Sequence, residues 1–102
     1  MRRPEIIDKL QKTIRENIPD AEVWMYGSEA RGDARADSDI DLLVLVDADR
    51  ISYSERKRIG DPLYSVSLET EIPIHTVFRT NKEWEKSRTS FYYNVMKERI
   101  RL

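Results

Sequence analysis

Gly27–Asp41 reads GSEARGDARADSDID, a glycine-serine turn joined to alternating carboxylates. The fold of the chain turns on what lies either side of it. The apolar run AEVWMY, residues 21–26, leads into the turn and reads as a strand. Ile40–Val46, IDLLVLV, is rich in Val, Ile and Leu and reads as a second strand. Successive strand side chains point to opposite faces, so Asp39 and Asp41 share one face and Ile40 and Leu42 the other. Two carboxylates aimed at one point make a candidate site for a divalent metal. Ser, Asp and Gly also build ordinary surface turns, and DSDID alone would be consistent with a capped one. Asp41, however, sits inside an apolar run, where an uncompensated charge costs several kcal/mol unless it is paired or metal-bound.

Working outward, Ile6, Ile7, Leu10, Ile14 and Ile18 recur at helical spacing and predict an amphipathic helix over Pro4–Asn17, ended by Pro19. After the second strand, residues 47–52 are polar turn material. Ser54 is a candidate cap for a helix whose apolar stripe is Ile59, Leu63 and Val66, with Gly60 and Pro62 as potential kinks or breaks. Residues 72–78 read as a third strand, and Thr80 caps a short helix covering 83–86. A last helix, about 89–99, uses Phe91, Val95 and Met96 as its buried face. Tyr92 and Tyr93, at helical spacing with Met96, are read as packing rather than as a base-stacking platform. Alternating helices and strands predict an α/β domain with a small mixed sheet packed with helices.

Composition narrows the class further. At 102 residues the chain has room for one core, so residues 1–102 are expected to be a single domain. The absence of cysteine excludes a disulfide framework and thiolate metal sites. The amino-terminal region carries Glu5, Asp8 and Lys9 and does not resemble a signal peptide, and no apolar run is long enough to span a bilayer; a cytoplasmic location is the expectation. Lys and Arg number 18 against 19 for Asp and Glu, a net charge of −1. Long nucleic acid is therefore not an expected ligand, because phosphate neutralisation normally requires a basic surface. The Arg56–Arg58 cluster reads as a solvated helix face.

GSEARG followed by SDIDLLV closely resembles the GSxARG…SDxDLxV signature of the minimal nucleotidyltransferases of the polymerase beta superfamily. The resemblance covers nearly the whole chain: the leading helix, the late EIPIHTVF strand with its TNKEW, and the FYYNVMKERIRL tail follow that family in order and spacing. It implies a polymerase-beta-like fold and transfer of a nucleoside monophosphate, AMP by first expectation, from ATP or another nucleoside triphosphate to a hydroxyl. In such chemistry the acceptor oxygen attacks the alpha phosphorus in line and pyrophosphate leaves. Negative charge accumulates on oxygens, so Mg2+ or Mn2+ held by Asp39 and Asp41 suits the step. Gly27 and Ser28 would let backbone amides approach the phosphates, assisted by a following helix start. Arg31 either pairs with phosphate oxygens or bridges to Asp33 or Asp37. Ser38 is a weaker nucleotide-binding candidate and a candidate local cap.

One position departs from the family. Its members place a third Asp or Glu on the late strand, where this chain has His75. Pro73, His75 and Val77 would share a face, turning His75 toward Asp39 and Asp41 as a catalytic base or soft-metal ligand. Glu71 would substitute only if a bulge near Pro73 shifted the register. The imidazole equally fits a catalytically impaired module that binds nucleotide or a partner, or an ordinary hydrogen-bonded histidine. A transferase acting on a small hydroxylated molecule would need a second lobe that this length does not supply. Family resemblance further implies a separate helical partner of the HEPN type, as in toxin–antitoxin pairs, whose tyrosine would be the acceptor. A homodimer is also compatible. Tyr92, Tyr93, Ile100 and Leu102 are the candidate docking residues.

Overall fold

The computed structural model describes residues 3–102. Helix α1, Pro4–Asn17, has the expected bounds, with Pro4 at its start, where a missing N–H costs nothing. Its stripe Ile7, Leu10 and Ile14 is buried. The chain then forms β1 (Glu22–Tyr26), a one-turn helix α2 (Gly27–Arg31) and β2 (Ile40–Val46). Helix α3 (Tyr53–Thr70) leads to β3 (Ile74–Thr80), followed by α4 (Asn81–Lys86), α5 (Ser90–Glu98) and a two-residue strand β4 (Ile100–Arg101).

The strands make one sheet in the order β3-β2-β1-β4. β1 is antiparallel to β2 and to β4, whereas β2 and β3 run parallel, joined through α3. The sheet is therefore mixed, as the alternation of elements predicts. On one face, α1 and α3 enclose Leu10, Ile18, Met25, Ile40, Leu42, Ile59 and Leu63 with their neighbours. On the other, Tyr26, Leu43 and Leu45 pack with Trp84 of α4 and Val95 of α5. β2 is one of the two interior strands and is apolar on both sides from Leu42 to Leu45, which is why its sequence reads as a continuous run rather than an alternation.

Three local details differ from the sequence expectations. Helix α3 begins at Tyr53 because Ser52, not Ser54, is the cap: its hydroxyl accepts from the Glu55 amide at 3.1 Å. It also runs unbroken through Gly60 and Pro62, since burial of Ile59, Leu63 and Val66 outweighs their poor helix propensity. β3 starts at Ile74 rather than Ile72. Glu71 ends α3 with a φ of 59°, so it does not lie on the strand face and no bulge brings it there. Thr80 caps α4 as expected, through a reciprocal capping box with Glu83.

The tail departs most. Ile100 and Leu102 are packed against the main core, and the Leu102 amide donates to the Val23 carbonyl at 3.0 Å. Tyr92 packs against the Trp84 ring at 4.9 Å. Of the four expected docking residues, Tyr93 is the one that stands as a large exposed ring, and Met96, expected in the buried face of α5, is also exposed. The tail closes the sheet edge, and its apolar residues are used in doing so.

Candidate active site

Register builds the site. Tyr26 pairs with Asp41 across β1 and β2, and Asp41 pairs with His75 across β2 and β3. Directly paired residues share a sheet face, so Tyr26, Asp41 and His75 form one row, as the sequence predicts for the last two. The His75 Nδ1 lies 3.7 Å from the Asp41 Oδ1. Ile40 fixes this register from the opposite face: its side chain is fully buried and its amide donates to the Pro73 carbonyl at 3.0 Å.

Asp39 precedes the strand and is exposed, whereas Asp41 is half-buried. Burial holds the Asp41 carboxyl above its ordinary range; His75 opposes that rise and the nearby Asp39 charge adds to it. The Asp39 charge is thus felt at Asp41. Tyr26, almost fully buried, has its phenol pushed up to about 12, first by burial and then by Asp41, and so stays a neutral hydroxyl. Sequence reading did not single out Tyr26; the only signal was its place immediately before the glycine turn.

Gly27 begins α2 with a φ of 77°, a conformation that L side chains rarely adopt. A Cβ on Gly27 would lie 2.5 Å from the Asp41 Oδ2, so the turn abuts the carboxylate and no side chain fits there. The same turn is anchored from two other directions. Arg3 donates from Nε to the buried Glu29 Oε1 at 2.9 Å and from Nη1 to the Ala36 carbonyl at 3.3 Å, fastening α2 and the following loop to the start of α1. Glu98, at the end of α5, accepts from the Gly27 amide at 2.9 Å. Neither anchor was anticipated, because each partner lies tens of residues from the motif.

Ser28 lies in α2 beside Gly27, and Arg31 and Ser38, also expected to bind nucleotide, are engaged within the protein. Arg31 bridges to Asp33 at 3.4 Å, one of the two options its sequence context offers, and also to Glu98 at 3.1 Å. The Ser38 hydroxyl accepts from the Arg35 amide at 2.8 Å and shapes the loop before β2, matching its reading as a local cap. Among the described residues, no group of three or more His, Asp or Glu side chains is placed to hold a metal ion. None of the helices formed by those residues is long and apolar enough to cross a membrane.

Residues 7–102 match the family model described as a nucleotidyltransferase domain, and the chain belongs to that family, within the polymerase beta superfamily of nucleotidyltransferases. Its fold is similar to a crystal structure of a toxin–antitoxin with AMP-PNP, at a TM-score of 0.63 and 22% identity, covering 92% of this chain and 69% of that one. A mutant MntA–HpeT toxin–antitoxin aligns at a TM-score of 0.61 with 23% identity, covering 94% and 70% of the respective chains. A candidate nucleotidyltransferase from Sulfolobus solfataricus aligns at 0.58 with 19% identity, covering 97% and 80%. At these identities the likeness is one of fold. No curated protein matches the sequence significantly.

Proposed function

We propose that the chain moves a nucleoside monophosphate, AMP from ATP, onto a hydroxyl acceptor, with Asp39 and Asp41 holding a divalent cation and the Gly27–Ser28 turn holding the phosphates. The observation that carries this reading is the abutment of turn and carboxylate: Gly27 leaves no room for a Cβ beside the Asp41 Oδ2. Phosphates bound at the turn and a cation bound at the carboxylates would then be neighbours. The donor set fits a hard divalent ion, because the Asp39 charge adds to the cost of charging Asp41 and a cation held by the two would relieve it. Mg2+ or Mn2+ would supply charge neutralisation for the phosphates and the attacking oxygen.

The transfer forms a bond between the acceptor oxygen and the alpha phosphorus. It breaks the bond from that phosphorus to the bridging oxygen, which leaves with pyrophosphate, while the acceptor loses its proton. Ser28 contributes an amide and a hydroxyl at the phosphates. His75, 3.7 Å from Asp41, would take the acceptor's proton in this reading. Tyr26, its phenol kept neutral, stands in the same row as Asp41.

The acceptor belongs to a separate protein, a helical partner of the HEPN type presenting a tyrosine. Support comes from two fold neighbours that were crystallised as toxin–antitoxin pairs, one of them with AMP-PNP. The net charge of −1 argues against long nucleic acid as the acceptor. The test is transfer of label from ATP tagged at the alpha phosphate to proteins of the native cell extract, with magnesium and with manganese. A labelled band that disappears with Asp39→Asn is expected; no band with either metal overturns the reading.

A further inference from the structure

Glu98 reaches the motif from the far end of the chain and takes two of its donors. Its Oε1 accepts from the Gly27 amide at 2.9 Å. Both of its oxygens accept from the Arg31 Nη1, at 3.4 and 3.1 Å. The Glu98 side chain is only 18% exposed, so its bond to the Gly27 amide is less diluted by water than a surface pair, whereas Arg31 is exposed to solvent. We propose that Glu98 is a positioning residue of the transfer site, holding the glycine turn at the spacing from Asp41 that phosphate and cation require. This deepens the functional reading above and rests on it.

Two other roles fit less well. As a phosphate contact Glu98 has the wrong sign, and as a metal ligand it is already engaged, its oxygens accepting from the Gly27 amide and the Arg31 guanidinium. Its geometry instead suits a clamp. A Cβ on Gly27 would meet the Asp41 carboxylate at 2.5 Å, so the turn lies close against Asp41. A turn released from Glu98 loses one of the two anchors that fix its spacing from Asp41, the spacing that a triphosphate and its cation must bridge. Arg31, paired with Asp33 and Glu98, is then part of the same scaffold. Helix α5 thereby touches the site twice: Glu98 holds the turn, and Phe91 packs edge-on against Tyr26 at 5.4 Å, in the row that contains Asp41.

The experiment compares the full chain with Glu98→Ala and Glu98→Gln. Glutamine keeps an oxygen for the Gly27 amide, and alanine does not. Amide hydrogen exchange at Gly27, read by NMR, is expected to accelerate about tenfold or more in Glu98→Ala and to stay near wild type in Glu98→Gln, because exchange reports local opening. The dissociation constant for a non-hydrolysable ATP analogue with Mn2+ is expected to rise about tenfold in Glu98→Ala, the order of one charge-assisted hydrogen bond, with most of the loss recovered in Glu98→Gln. Unchanged exchange and unchanged affinity in Glu98→Ala overturn the proposal. So does tighter binding, which would mean that Glu98 competes with phosphate. If Glu98→Ala fails to fold, Glu98→Gln with slow Gly27 exchange and weakened binding no greater than about threefold supports the clamp, and fast exchange in that variant overturns it. Failure of the wild type to bind the analogue would count against the transferase reading alone, since the Gly27 exchange pattern tests the clamp without nucleotide.

Discussion

On the proposed function, Asp41 has opposite effects on stability and on transfer. Folding raises its pKa above the ordinary 3.8 because burial penalises the charged carboxylate more than His75 relieves it. The native state therefore holds this proton more firmly than the unfolded chain. The stability contributed by Asp41 is complete below 3.8 and is lost as pH rises through the higher folded value. At neutral pH, without a divalent ion, Asp41→Asn is expected to raise Tm by roughly 2–5 °C while abolishing label transfer. Thermal denaturation in chelator checks the first half, and a lowered Tm would mean that the His75 contact outweighs burial. In wild type, added Mn2+ should raise Tm, and that rise should vanish with Asp41→Asn.

His75 makes a second residue-scale case. It pairs with Asp41 in register and lies 3.7 Å from it, on the strand where the family resemblance leads one to expect a third carboxylate. A carboxylate suits Mg2+, whereas imidazole favours softer ions. His75→Asp is thus expected to move metal preference toward magnesium, raising the ratio of Mg2+-supported to Mn2+-supported transfer by about fivefold or more. Initial rates of label transfer in each metal give that ratio. An unchanged ratio would mean that position 75 does not reach the ion.

At the scale of elements, Gly60 is a residue that burial tolerates without requiring. It lies inside α3, and a Cβ there would meet the Phe78 ring at 3.7 Å, an ordinary contact. Gly60→Ala should therefore gain about 0.5–1 kcal/mol of helix propensity and raise Tm by roughly 3–8 °C, with transfer unchanged. A fall in Tm would show that α3 needs the glycine to approach β3. The same helix shows what the sequence could reveal. Elements with a strong period or a long apolar run, α1 and β2, were legible to the residue, and the row of Asp41 and His75 followed from strand alternation together with the family resemblance at position 75. The α3 start was legible too, but in a different pattern: Ser52 and Glu55 carry the capping spacing, whereas Ser54 merely adjoins the apolar stripe. The partners of Gly27 and Glu29 were not legible, because Glu98 and Arg3 meet them only once the sheet has formed. Nothing local to either residue announces such a contact.

At the scale of the whole molecule, the tail decides whether β1 is an interior strand or an edge. β4 contributes only Ile100 and Arg101 to the sheet, yet it pairs with Trp24 and Met25. The guanidiniums of Arg99 and Arg101 also lie over the Trp24 ring, at 4.0 and 5.3 Å from its centroid. Deleting residues 100–102 would strip the packing of Ile100 and Leu102 from the main core and leave the outer side of β1 unpaired. Each side chain is partly buried, so the combined loss is about 2–4 kcal/mol, a large share of the roughly 5–15 kcal/mol typical of a folded domain. Tm is expected to fall by at least about 10 °C, and transfer to fall with it, since β1 delivers the chain to Gly27. If these residues served as a docking surface instead, the shortened chain would keep its Tm and its binding of an ATP analogue and would lose only its partner. Thermal denaturation of the deletion beside Tyr93→Ala separates the two roles. Tyr93 is exposed, so its removal should leave Tm within about 1–2 °C of wild type, and any partner lost with it identifies a contact rather than a fold defect.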